Sequence, residues 1–250
     1  MNGGHGRAGG EETERAVRPD PVAEPSPTFD ELRTGFTAAV SHELRTPLAR
    51  ILALLESADL PGADVRALLD QARAEVESAG ALIDEILFLA ELESGREVVS
   101  LGATEALPVV REVLAEHEAA AARAGVALEA AGDERAEVPL RPRMLRVVAE
   151  NLVENAIRYA GHGSTFRLSV ERADGAVVLS ARDDGAGVRE ADLPRLFERF
   201  WRGDAARASR GTGLGLAIVK HVVAAAGGTV EARGARGRGL EVRCAFPTSS

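Results

Sequence analysis

The 250-residue sequence holds one cysteine, one lysine, one tryptophan and one tyrosine. Each scarcity excludes something. Cys244 by itself forms no internal disulfide and no thiolate metal cage, which fits a reducing compartment. Lys220 is the sole lysine, so arginine supplies nearly all of the 30 basic residues; 39 acidic residues outnumber them, for a net charge of −9. Such a chain is a poor general partner for nucleic acid, whose phosphates call for Lys and Arg to replace counterions. No run of 18 apolar residues occurs. The richest stretch, Ala217 to Ala226, is interrupted by Lys220 and His221, so no segment is expected to cross a bilayer. The first ten residues are glycine-rich and polar, without an apolar signal core. Aromatic residues make up only 4%, leaving a core of Ala, Leu and Val. Together these point to a cytoplasmic location.

What is present is unevenly placed. Residues 30–98 carry six basic against fourteen acidic side chains, whereas residues 99–250 carry 21 against 20. That change marks a boundary near residue 98. We therefore expect a disordered tail over 1–29, a helical hairpin over 30–97 and an α/β domain over 98–250. The tail follows from Pro19, Pro21, Pro25 and Pro27 in a stretch with little to bury.

Leu32, Phe36, Val40, Leu44, Leu48, Ile51 and Leu55 recur every three or four residues and predict a helix over 30–58, bent at Pro47. Asp59-Leu60-Pro61-Gly62 is a turn signal. A second helix, 63–94, carries a heptad seam of Val65, Leu69, Ala72, Val76, Ala79, Ile83, Ile86 and Ala90. A hairpin of two such helices has little core of its own, so pairing into a dimeric four-helix bundle would bury the seams. Beyond residue 98 the spacing predicts strands at Val98–Leu101, Val126–Ala130 and Ala136–Leu140, and a helix over 104–123. A helix opened by Pro142 runs to Tyr159. Strands Thr165–Arg172 and Ala176–Arg182 flank an Asp174-Gly175 hairpin signal. A helix Gly213–Ala226 and strands Gly228–Arg233 and Leu240–Phe246 close the chain. The expected fold is α+β: the hairpin, then an α/β sandwich with a mixed sheet under a helical layer.

Four short segments carry candidate chemistry. In Ser41-His42-Glu43-Leu44-Arg45-Thr46-Pro47-Leu48, helical geometry puts Val40, Leu44, Ile51 and Leu55 on the buried side and His42 toward solvent, with Thr46 one turn along the same face. An exposed imidazole beside a carboxylate is a plausible nucleophile, since Glu43 can hold one ring proton while the other nitrogen attacks. An ordinary surface histidine is the alternative for that segment alone. In the second segment, Asn151, Asn155 and Arg158 share one helical face, followed by Tyr159. Amide oxygens suit Mg²⁺, an arginine can pair with phosphate, and a tyrosine can cover a base. The third, Asp183-Asp184-Gly185-Ala186-Gly187, ends a strand with a carboxylate able to accept from an exocyclic amine, beside glycines that permit close backbone approach. The fourth, Gly211-Thr212-Gly213-Leu214-Gly215-Leu216, leads into a helix whose free N–H groups attract phosphate. It is neither a dinucleotide fingerprint, having Leu216 at the sixth position and no strand before it, nor a Walker loop.

In order and spacing these segments resemble the sensor histidine kinases of two-component signalling, over about residues 32–247. Ser41–Leu48 resembles the H-box, Asn151–Tyr159 the N-box and Asp183–Gly187 the G1 box. Leu196-Phe197-Glu198-Arg199-Phe200 resembles the F-box and Gly211–Leu216 the G2 box, with an ATP lid over 201–210. The resemblance implies a homodimeric four-helix bundle joined to a Bergerat-type ATP-binding sandwich, with ATP and Mg²⁺ as cofactors and the receiver domain of a response regulator as partner. It implies His42 as phosphoacceptor, Glu43 as base and Thr46 as the residue positioning water for the reverse phosphatase reaction. Asn155 would ligate Mg²⁺, while Asn151 and Arg158 would contact phosphates or the metal shell. Tyr159 would line the adenine and Asp183 would bind its amine, with Gly185 and Gly187 beside it. Arg202 would reach the γ-phosphate, and Gly211, Gly213, Leu214 and Gly215 would form the phosphate cradle. Arg158 stands where lysine is frequent in the family.

Two other readings share parts of this pattern. A Bergerat-fold ATPase or protein-serine kinase would have the last four segments without the helical His-Glu-x-x-Thr. A non-catalytic dimeric scaffold would keep the heptads and lose a ligand such as Asn155 or Asp183. The remaining histidines, His5, His117, His162 and His221, read as tail, helix, turn and packing residues; Cys244 reads as core and Trp201 as an apolar anchor for the lid. The chain reads either as receiving its input through the tail or a partner, or as the catalytic part of a longer protein.

Overall fold

Apolar periodicity builds the first two elements of the computed structural model, which describes residues 29–94, 102–173, 175–203 and 211–248. The expected tail and the expected strand Val98–Leu101 fall outside the described residues, apart from Phe29 at the start of the first helix. Helix α1 (Phe29–Ala58) runs on through Pro47. Helix α2 (Val65–Glu93) starts where the Asp64 carboxylate accepts the Ala67 N–H at 3.0 Å, satisfying a backbone donor that the first turn leaves unpaired. The two pack against each other as a hairpin.

The heptad seam is only part of the apolar surface of α2. Val65, Leu69, Val76 and Ile83 are exposed in the single chain, and so is Leu55 of α1, which the helical wheel places on the buried side. The side chains α2 does bury include Leu82, Leu89 and Leu92. Leu82 and Leu89 lie about 100° round the helix from the seam and Leu92 further still, and all three join the apolar core of the following domain. The helix thus has two apolar stripes. One packs within this chain; along the other, the seam, Ala72 is buried and Ile86 packs on the core, while Val65, Leu69, Val76 and Ile83 stay exposed among the described residues.

The second half is a five-stranded mixed sheet carrying a layer of helices. Strands β2 (Ala127–Gly132), β4 (Thr165–Ala173), β5 (Ala176–Asp183), β6 (Thr229–Gly234) and β7 (Leu240–Pro247) run in the order β2-β4-β5-β7-β6. Only β2 and β4 are parallel; the other pairings are antiparallel. The alternation of Phe166, Leu168 and Val170 on β4, and of Leu240, Val242, Cys244 and Phe246 on β7, turns one face inward. Helices α3 (Ala106–Ala124), α4 (Pro142–Tyr159) and α5 (Gly215–Ala225) supply the opposing layer. Pro142 opens α4, and Gly125, left-handed at φ 72°, closes α3. The expected strand Ala136–Leu140 shortens to β3 (Glu137–Val138), which pairs with β1 (Thr104–Glu105) in a separate two-stranded ribbon. The helix expected from residue 104 accordingly starts at 106. Cys244 is fully buried, and desolvation pushes its thiol up to about 12, so it is inert at neutral pH.

Candidate active site

The end of β5, the last turns of α4 and the start of α5 converge, and three backbones meet there without side chains between them. The Ala186 N–H donates to the Ala160 carbonyl at 2.8 Å, just past α4. The Gly237 N–H donates to the Ala186 carbonyl at 2.7 Å, and the Gly239 N–H to the Gly185 carbonyl at 3.0 Å, tying the β6–β7 turn to the same loop. Thr165 N–H donates to the Asp184 carboxylate at 2.7 Å and pins it from the sheet side. A Cβ on Gly185 would overlap the Ala160 carbonyl, and one on Gly187 the Ala235 carbonyl. The glycines after Asp183 therefore serve backbone-to-backbone packing, and Gly185 does not line the cavity as the sequence pattern leads one to expect. Gly239 is tightest: its φ is +76° and a Cβ there would overlap the Asp183 carbonyl. Gly239→Ala is expected to cost about 3 kcal/mol or more, through strain and overlap with main chain that has nowhere to move. A thermal melt indistinguishable from wild type would refute this packing.

Over this platform opens a cavity of about 290 Å³. Its wall brings together Asn151, Asn155, Arg158 and Tyr159 from α4, Gly187 from the loop after β5, Arg202, and Gly213 and Gly215 at the start of α5. Asn151 is oriented by donating its amide N–H to the Val147 carbonyl at 2.8 Å, which turns its oxygen the other way. That oxygen would lie 2.6 Å from a Cβ on Gly215, so glycine is needed where the α5 N-terminus meets Asn151. Gly211 is bare for a similar reason, since its Cβ would sit 2.7 Å from the Tyr159 hydroxyl. Gly213, at φ +73°, passes close to the Phe200 backbone and accepts the Phe200 N–H at 3.0 Å. Arg158 is steadied by Glu154, one turn earlier, at 2.7 Å.

Three further expectations are refined. Asp183 lies beneath the cavity, not on its surface: it is buried, its Oδ1 accepts the Gly185 N–H at 2.9 Å, and its neighbours Gly187 and Leu240 line the wall. Burial raises its carboxyl above the ordinary range, against the lowering effect of the Gly185 and Leu240 N–H groups. Leu214 does not line the cavity. Its side chain is fully buried in the core, and its N–H donates to the Thr212 hydroxyl at 3.2 Å. Gly211 touches Tyr159 without lining the cavity.

Sequence reasoning missed other wall residues. Val188, Arg189, Asp192 and Arg236 line the cavity, and Arg189 and Asp192 form a two-point ion pair at 2.7 and 2.9 Å. Trp201 is both a wall residue and packed on the core, with the Arg195 guanidinium 5.7 Å from its ring centre. The least expected is Glu85, which reaches the cavity from α2 and accepts a hydrogen bond from the Thr212 hydroxyl. Thr212 lies inside a motif and was discoverable there; nothing in the spacing of α2 marks Glu85. Burial pushes its carboxyl up, offset in part by the Thr212 hydroxyl and the Arg158 charge.

His42, Glu43 and Thr46 stand elsewhere, on α1. His42 and Thr46 are exposed, and the Thr46 hydroxyl donates to the His42 carbonyl at 3.3 Å, placing it one turn along. None of the three lines the cavity. His162 and His117 are also remote from it. His162 packs over Gly125, and His117 approaches the Val113 carbonyl at 2.8 Å.

The donor set suits a magnesium nucleotide. Hard amide oxygens, guanidinium groups and the N-terminus of an eleven-residue helix face one space. Among the described residues no group of three His, Cys, Asp or Glu could hold a metal, so a cation there would depend on Asn amides and phosphate oxygens. No described helix is long and apolar enough to cross a membrane.

Comparison with known proteins follows the same division. Residues 32–95 match the His Kinase A (phospho-acceptor) domain family. Residues 141–250 match the histidine kinase-, DNA gyrase B- and HSP90-like ATPase family. The sensor-like histidine kinase SenX3 of Mycobacterium tuberculosis is 34% identical over 221 residues, covering 86% of this chain and 54% of its own length. The sensor histidine kinase CusS of Escherichia coli is 32% identical over 213 residues, covering 82% and 44%. Among solved structures, full-length ShkA in complex with AMPPNP aligns over 85% of this chain and 46% of its own, with TM-score 0.62 and 29% identity. Acinetobacter baumannii AdeS shares the fold at TM-score 0.69 and 24% identity, over 84% of this chain and 98% of its own. A His Kinase A hairpin followed by this ATPase fold defines a class, and the chain belongs to it, the sensor histidine kinase family of two-component signalling. It spans about half the length of the curated relatives it matches.

Proposed function

We propose that the chain binds Mg·ATP, autophosphorylates His42 and passes the phosphoryl group to an aspartate of a response regulator. The observation that carries this reading is the cavity itself. It gathers Asn151, Asn155, Arg158 and Tyr159 against the glycine-rich start of α5, on the same chain as an exposed His42. The His42 ring nitrogen would attack the γ-phosphorus as the bond to the bridging β–γ oxygen breaks, with ADP leaving and Glu43 holding the other ring proton. In phosphoryl transfer of this kind, positioning and charge neutralisation do most of the catalysis. Asn155 would hold Mg²⁺, with Asn151 contacting phosphates or the metal shell, and the ion would neutralise phosphate charge. Arg158 and Arg202 would meet phosphate oxygens, Tyr159 the base, and Asp183 its amine. A complex of the histidine kinase ThkA with the response regulator TrrA, whose kinase shares this fold at 21% identity and TM-score 0.69, is consistent with a receiver-domain partner. Incubation with γ-labelled ATP should give a protein label lost in acid and kept in alkali. A label stable in acid would favour the protein-serine kinase alternative.

The active form in this reading is a homodimer. Among the described residues, the large apolar side chains left exposed all lie between Leu48 and Leu87, on the hairpin. Leu69, Val76 and Ile83 repeat every seven residues along α2, as a helix–helix seam requires. Ile83→Asp should dissociate the dimer, because a carboxylate buried in that seam without a partner costs several kcal/mol. Light scattering that finds the wild type monomeric at about tens of micromolar would sink this.

A further inference from the structure

The nucleotide cavity has a wall from the wrong domain. Glu85 of α2 lines it and accepts a hydrogen bond from Thr212, in the glycine loop that leads into α5. Two turns further along α2, Glu93 forms an ion pair with Arg199 and lies 3.4 Å from His221. Burial pushes the His221 imidazole down more than Glu93 raises it, so Arg199 is the charged partner. Between these two carboxylates Leu89 and Leu92 are buried in the shared core. Glu85, Leu89, Leu92 and Glu93 form one stripe of the helix, polar at both ends and apolar between, and that stripe holds the two domains together.

Glu85 stands where phosphate chemistry would be. Asn151, Asn155, Arg158, Gly213 and Gly215 share the wall with it. A fixed carboxylate there repels a polyphosphate and competes for the Arg158 charge, and the repulsion grows with each phosphate added. His42, meanwhile, lies outside the cavity in this arrangement.

We infer that the Glu85–Thr212 contact is a latch that favours ADP over ATP, so that binding of the triphosphate and release of the catalytic domain from α2 are coupled. This deepens the kinase reading and rests on it. The γ-phosphate would displace the carboxylate, and the freed domain could then approach a histidine that the docked form does not reach. Coupling of this kind is reciprocal: ATP weakens docking by the same factor by which undocking tightens ATP.

The test uses the full chain, with Mg·ADP and Mg·ATP titrated calorimetrically into wild type, Glu85→Gln and Glu93→Gln. The Glu85→Gln substitution keeps an acceptor for Thr212 but removes the charge. It should tighten Mg·ATP about tenfold and Mg·ADP less than about threefold. Glu93→Gln does not touch the cavity, yet should also tighten Mg·ATP, by about threefold, because undocking becomes easier. Unchanged affinities in Glu85→Gln would overturn the inference, and weaker ATP binding would do so by making Glu85 a nucleotide or cation ligand. Tightening in Glu85→Gln alone would overturn the docking half, leaving only local charge. If wild type binds neither nucleotide, the kinase reading itself fails, a result distinct from all of these.

Discussion

His42→Gln should abolish the acid-labile label while leaving Mg·ATP affinity near wild type. The phosphoramidate bond forms only at a ring nitrogen, so removing the imidazole should lower incorporation by at least about a thousandfold. Affinity should be spared because His42 is on α1, exposed, and absent from the cavity wall. Thr46→Ala should separate two activities. The hydroxyl lies one helical turn from His42, with its donor turned to the His42 carbonyl. In the proposed reading it is not needed when imidazole is the nucleophile, but would orient a water against a docked phospho-aspartate. The variant should therefore autophosphorylate normally and fail to dephosphorylate the regulator. An acid-stable label persisting in His42→Gln would move the chemistry to a hydroxyl residue.

The two-part fold is legible in the sequence because each part obeys one simple period. Seven- and four-residue repeats mark α1 and α2, and two-residue alternation marks β4 and β7. The wall of the site is legible where one helix carries it: Asn151, Asn155 and Arg158 share a face of α4 by spacing alone. Spacing misleads where a residue's job is set by a neighbour distant in sequence. Gly185 reads as a glycine facing a ligand, yet what it must clear is the carbonyl of Ala160. Leu214 sits inside a phosphate-loop motif, but its side chain points into the core. Leu82, Leu89 and Leu92 fall off the seam of α2 because they pack on the second domain, and Glu85 carries no local signature at all. The β1–β3 ribbon is hidden for a related reason: two-residue strands have too few positions to show alternation.

That dependence on distant neighbours also makes Asp183 a sharp test of what the cavity holds. The carboxylate is buried at the end of β5, with Oδ1 accepting the Gly185 N–H and a further backbone bond from Leu240. If its remaining acceptor capacity reads the exocyclic amine of adenine, Asp183→Asn cannot satisfy every donor. One of its two terminal atoms becomes an NH₂. Facing the backbone, it leaves buried N–H groups unpaired; facing the base, it meets another donor. Either way ATP should weaken by about a hundredfold, because a site built to pair a donor rejects a group that cannot accept it. The cost to folding should be smaller, about 1–2 kcal/mol, as one amide oxygen still accepts from Gly185. Guanine presents a carbonyl at the position of the adenine amine, so the same amide that repels ATP should improve GTP relative to ATP. Calorimetric titration of both nucleotides into the variant measures both changes. Unchanged ATP affinity in a folded Asp183→Asn protein would show that the base is read elsewhere in the cavity, with Tyr159 and Asn151 the next residues to replace.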